Sequence, residues 1–342
     1  MKINLEDFRN NGGLNTIDQD SIDDVFITSI SFEERCQAVT TYIKSNYKAK
    51  LGIVIYNQEL IMEESTSCNE NMCIDVCKTS IVNSIQSVKE HLGLVVEKVV
   101  EEKSSYLDTR TQVLVMKDIS KQISEMIDKE KDIRISIDIT TFNRDQLITL
   151  LYYLKSNFAS LYIRTIYVSP QNHGSWLTKG YKTIRNVIGF PGSHKSSLPT
   201  LLVVLSGFEP ERIERLIDEH EPTKVLLGIG DPPTKVDFLS RNISLQKFIL
   251  DKQSVDGFKF SANAINECKN TLEKMFEQYC GNYNIILAPM STKLSTVAAF
   301  LAIESYPEIQ ITYCVPSEYN YKSYSDGMED IFIDLLITKH EE

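Results

Sequence analysis

VFITSISFEERCQAVTTYIKS at residues 25–45 and TLLVVLSGFEPERIERLIDEH at residues 200–220 carry the same features in the same order. Each is an apolar run ending at a serine, Ser31 or Ser206. Phe-Glu follows (Glu33 or Glu209), then an arginine (Arg35 or Arg212) and a helical pattern. Each continues into another apolar run, LGIVIYN at 51–57 or KVLLGIG at 224–230. A second pair lies further on. IRISIDITTFNRDQLITLLYYL (133–154) and YNIILAPMSTKLSTVAAFLAI (283–303) are each a strand pattern, a Ser/Thr turn and a helix pattern. Both lead to a strand closing on Tyr-x-x-Pro, Tyr167 to Pro170 and Tyr313 to Pro316, and then to a further apolar run, TIRNVIGF or IFIDLLI.

Outward from these segments, short Val/Ile/Leu runs alternate with helix-spaced stretches. Helices are expected over 32–46, 75–91, 107–129, 143–156, 209–220, 261–280 and 294–305, with a loop over 58–74 and a turn at Asp231-Pro232-Pro233. Strands separated by helices of about a dozen residues imply crossover connections and a parallel sheet, whose buried strands read as continuous apolar runs. The expected fold class is therefore α/β: two tandem Rossmann-like units, each a mostly parallel sheet flanked by helices, related by a pseudo-twofold. The boundaries read as 1–192 and 198–342, with the Gly/Pro/Ser-rich stretch 189–199 as linker. Doubly wound domains share much of this order by construction. The Ser-Phe-Glu-Arg and Tyr-x-x-Pro agreements favour duplication.

The chain has 342 residues and a net charge of -11, from 47 acidic and 36 basic side chains. Such a balance gives no overall attraction to phosphate backbones, so polymeric nucleic acid is disfavoured as a partner. No apolar run reaches the roughly 18 residues of a membrane span, and the polar N-terminal stretch lacks a signal-peptide core. A cytoplasmic location and no membrane partner are expected. An odd cysteine count, 7, argues for free thiols. Cys68, Cys73 and Cys77 cluster without a fourth ligand nearby, so no metal site is expected.

Ligands of open α/β sheets bind beyond the carboxyl ends of the strands. The loops in question are 29–35, 138–143, 206–212 and 289–293, and a pseudo-twofold would bring the four to one cleft. Ser31 and Ser206 begin S-x-x-E patterns that read as capping boxes, with the glutamate reaching back to the serine amide. The functional reading of the same loops is an anion held by free amides with Arg35 and Arg212. Thr140, Thr141 and Asn143, and Ser291 and Thr292, suit either capping or hydroxyl and phosphate binding. Lys293 fits capping poorly, because a cation at a helix N-terminus opposes the dipole. Asp138, at a strand end, is a candidate carboxylate for chemistry or ligand binding, and Asp231 follows the next strand of the second half. The G-x-G-x-x-G, Walker A, G-x-S-x-G and H-E-x-x-H patterns are absent, and no cofactor is expected.

The pattern of strand, turn and helix, closing on MSTKLSTVAAFLA (290–302), resembles the CRISPR-associated Rossmann fold (CARF) sensors. Ser31 with Arg35, and Ser206 with Arg212, stand where those domains place a hydroxyl and a basic residue after the first strand. Ser291, Thr292 and Lys293 stand where they place a Gly-Thr-Lys-type turn. The first copy has Thr140, Thr141 and Phe142 there, without the lysine, and both copies lack the glycines. The resemblance implies a nucleotide sensor of prokaryotic defence that takes a cyclic oligonucleotide or another phosphorylated small molecule. With two units filling the chain, it would signal to a partner protein or act on its own ligand. Two other readings remain open from the residues: an enzyme on a nucleotide or sugar phosphate with Asp138 or Glu209 as acid/base, and a non-catalytic adaptor with well-capped loops.

Overall fold

A computed structural model describes residues 2–4, 23–42, 47–61, 71–128 and 131–339. In chain order its first elements are β1 (Lys2–Asn4), β2 (Val25–Ile30), a 3-10 turn (Glu34–Gln37) running into α1 (Ala38–Tyr42), β3 (Ala49–Asn57), α2 (Asn71–Gly93), β4 (Val96–Ser104), α3 (Thr109–Met126), β5 (Ile133–Asp138), α4 (Arg144–Asn157) and β6 (Ser160–Val168). Two-residue strands β7 (Asn172–His173) and β8 (Thr178–Lys179) precede β9 (Thr183–Pro191). The second half holds β10 (Thr200–Leu205), α5 (Pro210–His220), β11 (Lys224–Gly230), α6 (Val236–Leu250), β12 (Val255–Phe260), α7 (Ile265–Tyr279), β13 (Asn284–Pro289), α8 (Lys293–Ala302) and β14 (Gln310–Val315). It ends with β15 (Glu318–Tyr319), β16 (Ser325–Asp326) and β17 (Asp330–Lys339).

The apolar runs form two large sheets, ordered β1-β17-β6-β5-β2-β3-β4 and β12-β11-β10-β13-β14-β9 among the described residues. Strands β2 to β6 pair in parallel, as do β10 to β14. The α/β class and the mostly parallel, helix-flanked sheets are thus present in both halves. Every residue of β2 is buried, as the unbroken run VFITSI requires of a central strand. The first core gathers Phe26, Ile30, Val54, Ile81, Val88 and Ile166. The second gathers Leu202, Val204, Ile213, Leu216, Leu227 and Ile286. Helix α3 starts where Asp108 accepts from the amides of Arg110 and Thr111 at 3.0 and 3.1 Å, an N-cap bond.

The last strand of each sheet comes from the other half of the sequence. β17 runs antiparallel to β6, with Ile331 facing Val168 through Lys339 facing Ser160. β9 runs antiparallel to β14, with Thr183 facing Val315. The compact units are consequently Met1–Gln146, Leu150–Asn172 and Ser325–Glu342 in one, and Leu147–Thr149 and His173–Tyr324 in the other. This corrects the boundaries 1–192 and 198–342. The stretch 189–199 begins inside β9, so its Gly/Pro content marks a strand end and not the division between sheets.

Other expectations shift with it. The chain from Phe32 enters its helix later, through the 3-10 turn, and α2 starts at Asn71 inside the segment expected as loop. The sequence reading missed α6 and β12. Val236, Ile243 and Phe248 of α6 are exposed, which blurs the amphipathic stripe. Strand β12, VDGFKF, is a largely exposed edge strand with a glycine and two charges, the composition least like a buried run. Cys68 lies outside the described residues. Among those described, no group of His, Cys, Asp and Glu is arranged to hold a metal, and no helix is long and apolar enough to cross a membrane.

Candidate functional site

In both sheets the order reverses between the first strand and the fourth. β2 is followed outward by β3 and β4 on one side, and by β5 and β6 on the other. β10 has β11 and β12 on one side, β13 and β14 on the other. The gap between β2 and β5, and that between β10 and β13, is the topological switch point, the usual ligand position of such sheets. The residues singled out in the sequence fall on the loops flanking those gaps: Ser31, Glu33, Arg35 with Asp138, Thr140, Thr141, Asn143 in one unit, and Ser206, Glu209, Arg212 with Ser291, Thr292, Lys293 in the other.

Their local bonding differs from the capping boxes. The Ser31 hydroxyl accepts from the Glu33 amide at 3.1 Å, and the Ser206 hydroxyl donates to the Gly228 carbonyl at 2.6 Å. Neither Glu33 nor Glu209 makes a side-chain cap bond. Each instead binds the arginine beside it, Arg35 to Glu33 at 2.5 Å and Arg212 to Glu209 at 2.8 Å. The arginines continue to the strand ends: Arg35 donates to the Val168 carbonyl at 2.6 Å, and Arg212 donates to that of Cys314. Val168 and Cys314 each follow the tyrosine of a Tyr-x-x-Pro. Tyr167 lies beside Arg35 and raises its pKa, and the Arg212 guanidinium stands 5.3 Å from the Tyr313 ring centroid. A hydroxyl completes each cluster, Ser325 on Glu33 at 2.6 Å and Thr178 on Glu209. Burial opposes both arginine charges, yet the adjoining carboxylates hold their pKa above the ordinary value. The two guanidiniums are therefore buried braces, not open anion ligands. The Nε atom of both is buried without a hydrogen-bond partner.

Asp138 is 1% exposed. One carboxylate oxygen accepts from the Thr140 hydroxyl at 2.5 Å and its amide at 3.1 Å, and the other from Thr28 at 3.4 Å. Burial pushes its pKa up to about 6, against the lowering by Thr140, Thr28 and Arg35. Thr140 also accepts from the Val168 amide at 3.1 Å, and Thr141 donates to the Ser29 carbonyl at 2.5 Å. These hydroxyls tie β5 to β2 and β6. Asn143 is the N-cap residue of α4, half-buried and without a side-chain cap bond.

In the other unit Thr292 caps α8, accepting from the Ser295 amide at 3.2 Å and donating to the Ala262 carbonyl at 2.8 Å. Ser291 and Thr292 are half-buried, while Lys293 is buried in the first turn. The loops after β10 and β13 touch: a Cβ on Gly207 would lie 2.5 Å from the Met290 carbonyl oxygen. Helix α6, missed in the sequence, fixes this loop. Asn242 donates to the Ser206 carbonyl at 3.2 Å and Gln246 to the Gly207 carbonyl at 2.8 Å. Asp231 pairs with the exposed Lys259 at 2.8 Å, a surface contact away from the β10–β13 gap. In the first unit Gln146 binds Asn57 at 2.5 Å and Ser104 at 3.0 Å, a buried amide network that only packing reveals.

No family model matches the chain, and no curated protein matches it. Among solved structures it is similar to Can2 from Sulfobacillus thermosulfidooxidans in complex with cyclic tetra-adenylate, at 16% identity over 38% of this chain with a TM-score of 0.25. The match spans 36% of the Can2 chain, about a third of its length. A universal stress protein from Archaeoglobus fulgidus DSM 4304 is similar at 10% identity, over 86% of this chain and 97% of its own, with a TM-score of 0.25. The N-domain of a bacterial malonyl-CoA reductase with NADP is similar at 7% identity, over 82% and 76%, with a TM-score of 0.23.

Proposed function

We propose that this chain binds a nucleotide or related phosphorylated ligand at the carboxyl ends of its parallel sheets and serves as a sensor or accessory component of prokaryotic defence. The observation that carries this reading is the placement of both sets of candidate loops on switch points. There the amides opening α4 and α8, with Asn143 and Ser291 partly open to solvent, offer donors to an anionic group. The arginine braces hold those loops in place instead of spending their charge on the ligand. The order of elements resembles CARF sensors, which makes a cyclic oligonucleotide the first ligand to test and an effector protein the receiver of the signal.

The acid/base alternative has less support. Glu209 is committed to Arg212, and Asp138 is enclosed by hydroxyl and amide donors. Differential scanning fluorimetry against mononucleotides, dinucleotides and cyclic oligoadenylates tests the proposal. A ligand at about 100 times its Kd stabilises by roughly 2.7 kcal/mol, and Asn143→Ala combined with Thr292→Ala and Lys293→Ala should remove that shift. A panel in which no nucleotide raises Tm would sink the reading.

A further inference from the structure

We propose that Ser325 and Thr178 are catches that couple each switch-point loop to the exchanged strand of its sheet. The two sit in equivalent places. Thr178-Lys179-Gly180 lies just before β9, and Ser325-Asp326-Gly327 just before β17. Gly180 and Gly327 adopt φ of 59° and 62°, left-handed values that fix a tight turn at the same step of both segments. One residue-pair upstream, the hydroxyl donates to the glutamate of the loop after the first strand: Ser325 to Glu33 at 2.6 Å, and Thr178 to Glu209. That glutamate is already anchored by its arginine, which is anchored on the sixth strand of the unit in one case and its counterpart β14 in the other. The hydroxyl therefore closes a circuit of loop, carboxylate, turn and exchanged strand.

Both segments are also paired locally, Thr178 and Lys179 with Tyr319 and Glu318, and β16 with β7, but the hydroxyl is the bond that reaches the switch-point loop. Lys179, Tyr181 and Lys182 are exposed, and Asp326 is exposed beside the half-buried Ser325. The Gly180 amide donates to Glu211 at 3.3 Å, a second tie from the same loop region. Pairing with β14 begins immediately afterwards, with the Lys182 amide on the Val315 carbonyl at 2.8 Å. A displacement of Glu33 or Glu209 reaches the segment before β17 or β9 directly through that hydroxyl. Ser325 and Thr178 are positioning residues in this scheme. The coupling is a property of the fold and holds whatever ligand the strand ends take.

Hydrogen–deuterium exchange on the full chain tests it without any ligand. In Thr178→Val, amides of 178–186 should exchange at least tenfold faster, and in Ser325→Ala those of 325–333, while β2, β5, β10 and β13 keep their rates. Thr178→Ser and Ser325→Thr restore the donor and should restore slow exchange. Unchanged exchange in the two deletion variants, or acceleration spread evenly over the core strands, overturns the proposal. Failure of the nucleotide screen leaves this result standing, so the two readings fail separately.

Discussion

The Arg35 guanidinium donates to the Val168 carbonyl at 2.6 Å while bound to Glu33 at 2.5 Å, so one buried side chain joins the loop after β2 to the end of β6. Removing one member of such a pair strands the other charge in a dry site. Arg35→Met should cost about 3–5 kcal/mol, and the double variant with Glu33→Gln should recover part of it, because a buried pair replaced as a unit is far less costly than a broken one. Urea denaturation of both singles and the double measures the coupling. Strictly additive losses would contradict the brace.

How much of this was legible in the sequence follows from what each feature depends on. Unbroken runs such as VFITSI and TLLVVL announce buried parallel strands, and the repeated Ser-Phe-Glu-Arg and Tyr-x-x-Pro mark corresponding strand ends in the two sheets. The two motifs meet in space, since Arg35 and Arg212 bind the residues next to Tyr167 and Tyr313. The sequence order could not show that β9 and β17 change sheets, because strand partners are set by tertiary pairing and an exchanged strand has the same composition as a retained one. It also misled on Glu33 and Glu209. At Ser206 a capping box and a brace would use the same Glu209, and the nearby buried arginine takes it; at Ser31 the box glutamate is Glu34, and its neighbour Glu33 makes the brace. Asn242 and Gln246 stayed hidden because α6 exposes Val236, Ile243 and Phe248 and so lacks a clean apolar face.

Asp138 makes the stability of its unit depend on pH. Its carboxyl titrates near 6 in the fold against 3.8 ordinarily, with burial as the main cause. A raised carboxyl pKa stabilises the fold fully below the unfolded value, and this contribution is lost as pH rises through the folded value. The difference corresponds to about 3 kcal/mol as an order of magnitude. Asp138→Asn keeps an acceptor for Thr140 and carries no charge to bury. Relative to the parent, it should gain stability between about pH 4 and pH 7, as measured by denaturation at fixed pH steps. A parallel pH dependence in the two proteins would count against this assignment.

Gly207 is the point of closest approach between the loops flanking the second switch point. A methyl group there meets the Met290 carbonyl oxygen at 2.5 Å, and neither backbone can yield without moving a strand end. Gly207→Ala should destabilise by about 1–3 kcal/mol and weaken any ligand that touches Ser291 or Thr292. Gly281→Ala meets nothing within 4 Å and serves as the control, expected to leave Tm near that of the parent. Equal effects of the two substitutions would remove the case for close packing at Gly207.

The exchanged strands predict that the two halves of the sequence hold together after the chain is cut between them. Residues 193–197 are exposed, so a protease site inserted between Ser196 and Ser197 is accessible, while the Asn284 side chain bonds Lys195 and Leu198 on either side of it. The N-terminal fragment would keep β9 paired to β14 of the other fragment, over five register pairs. The C-terminal fragment would keep β17 paired to β6 over nine. Both pairings bury apolar side chains, Val187 on β9 and Ile331, Phe332 and Ile333 on β17 among them. Leaving the complex would therefore open both sheets at once. The cut protein should elute as one species of unchanged size in native gel filtration and separate into two bands only under denaturing conditions. Dilution should not split it, and refolding the isolated fragments separately should yield neither sheet in full. Two fragments that part on cleavage and each fold with native-like circular dichroism would show that the exchanged strands are dispensable to their sheets.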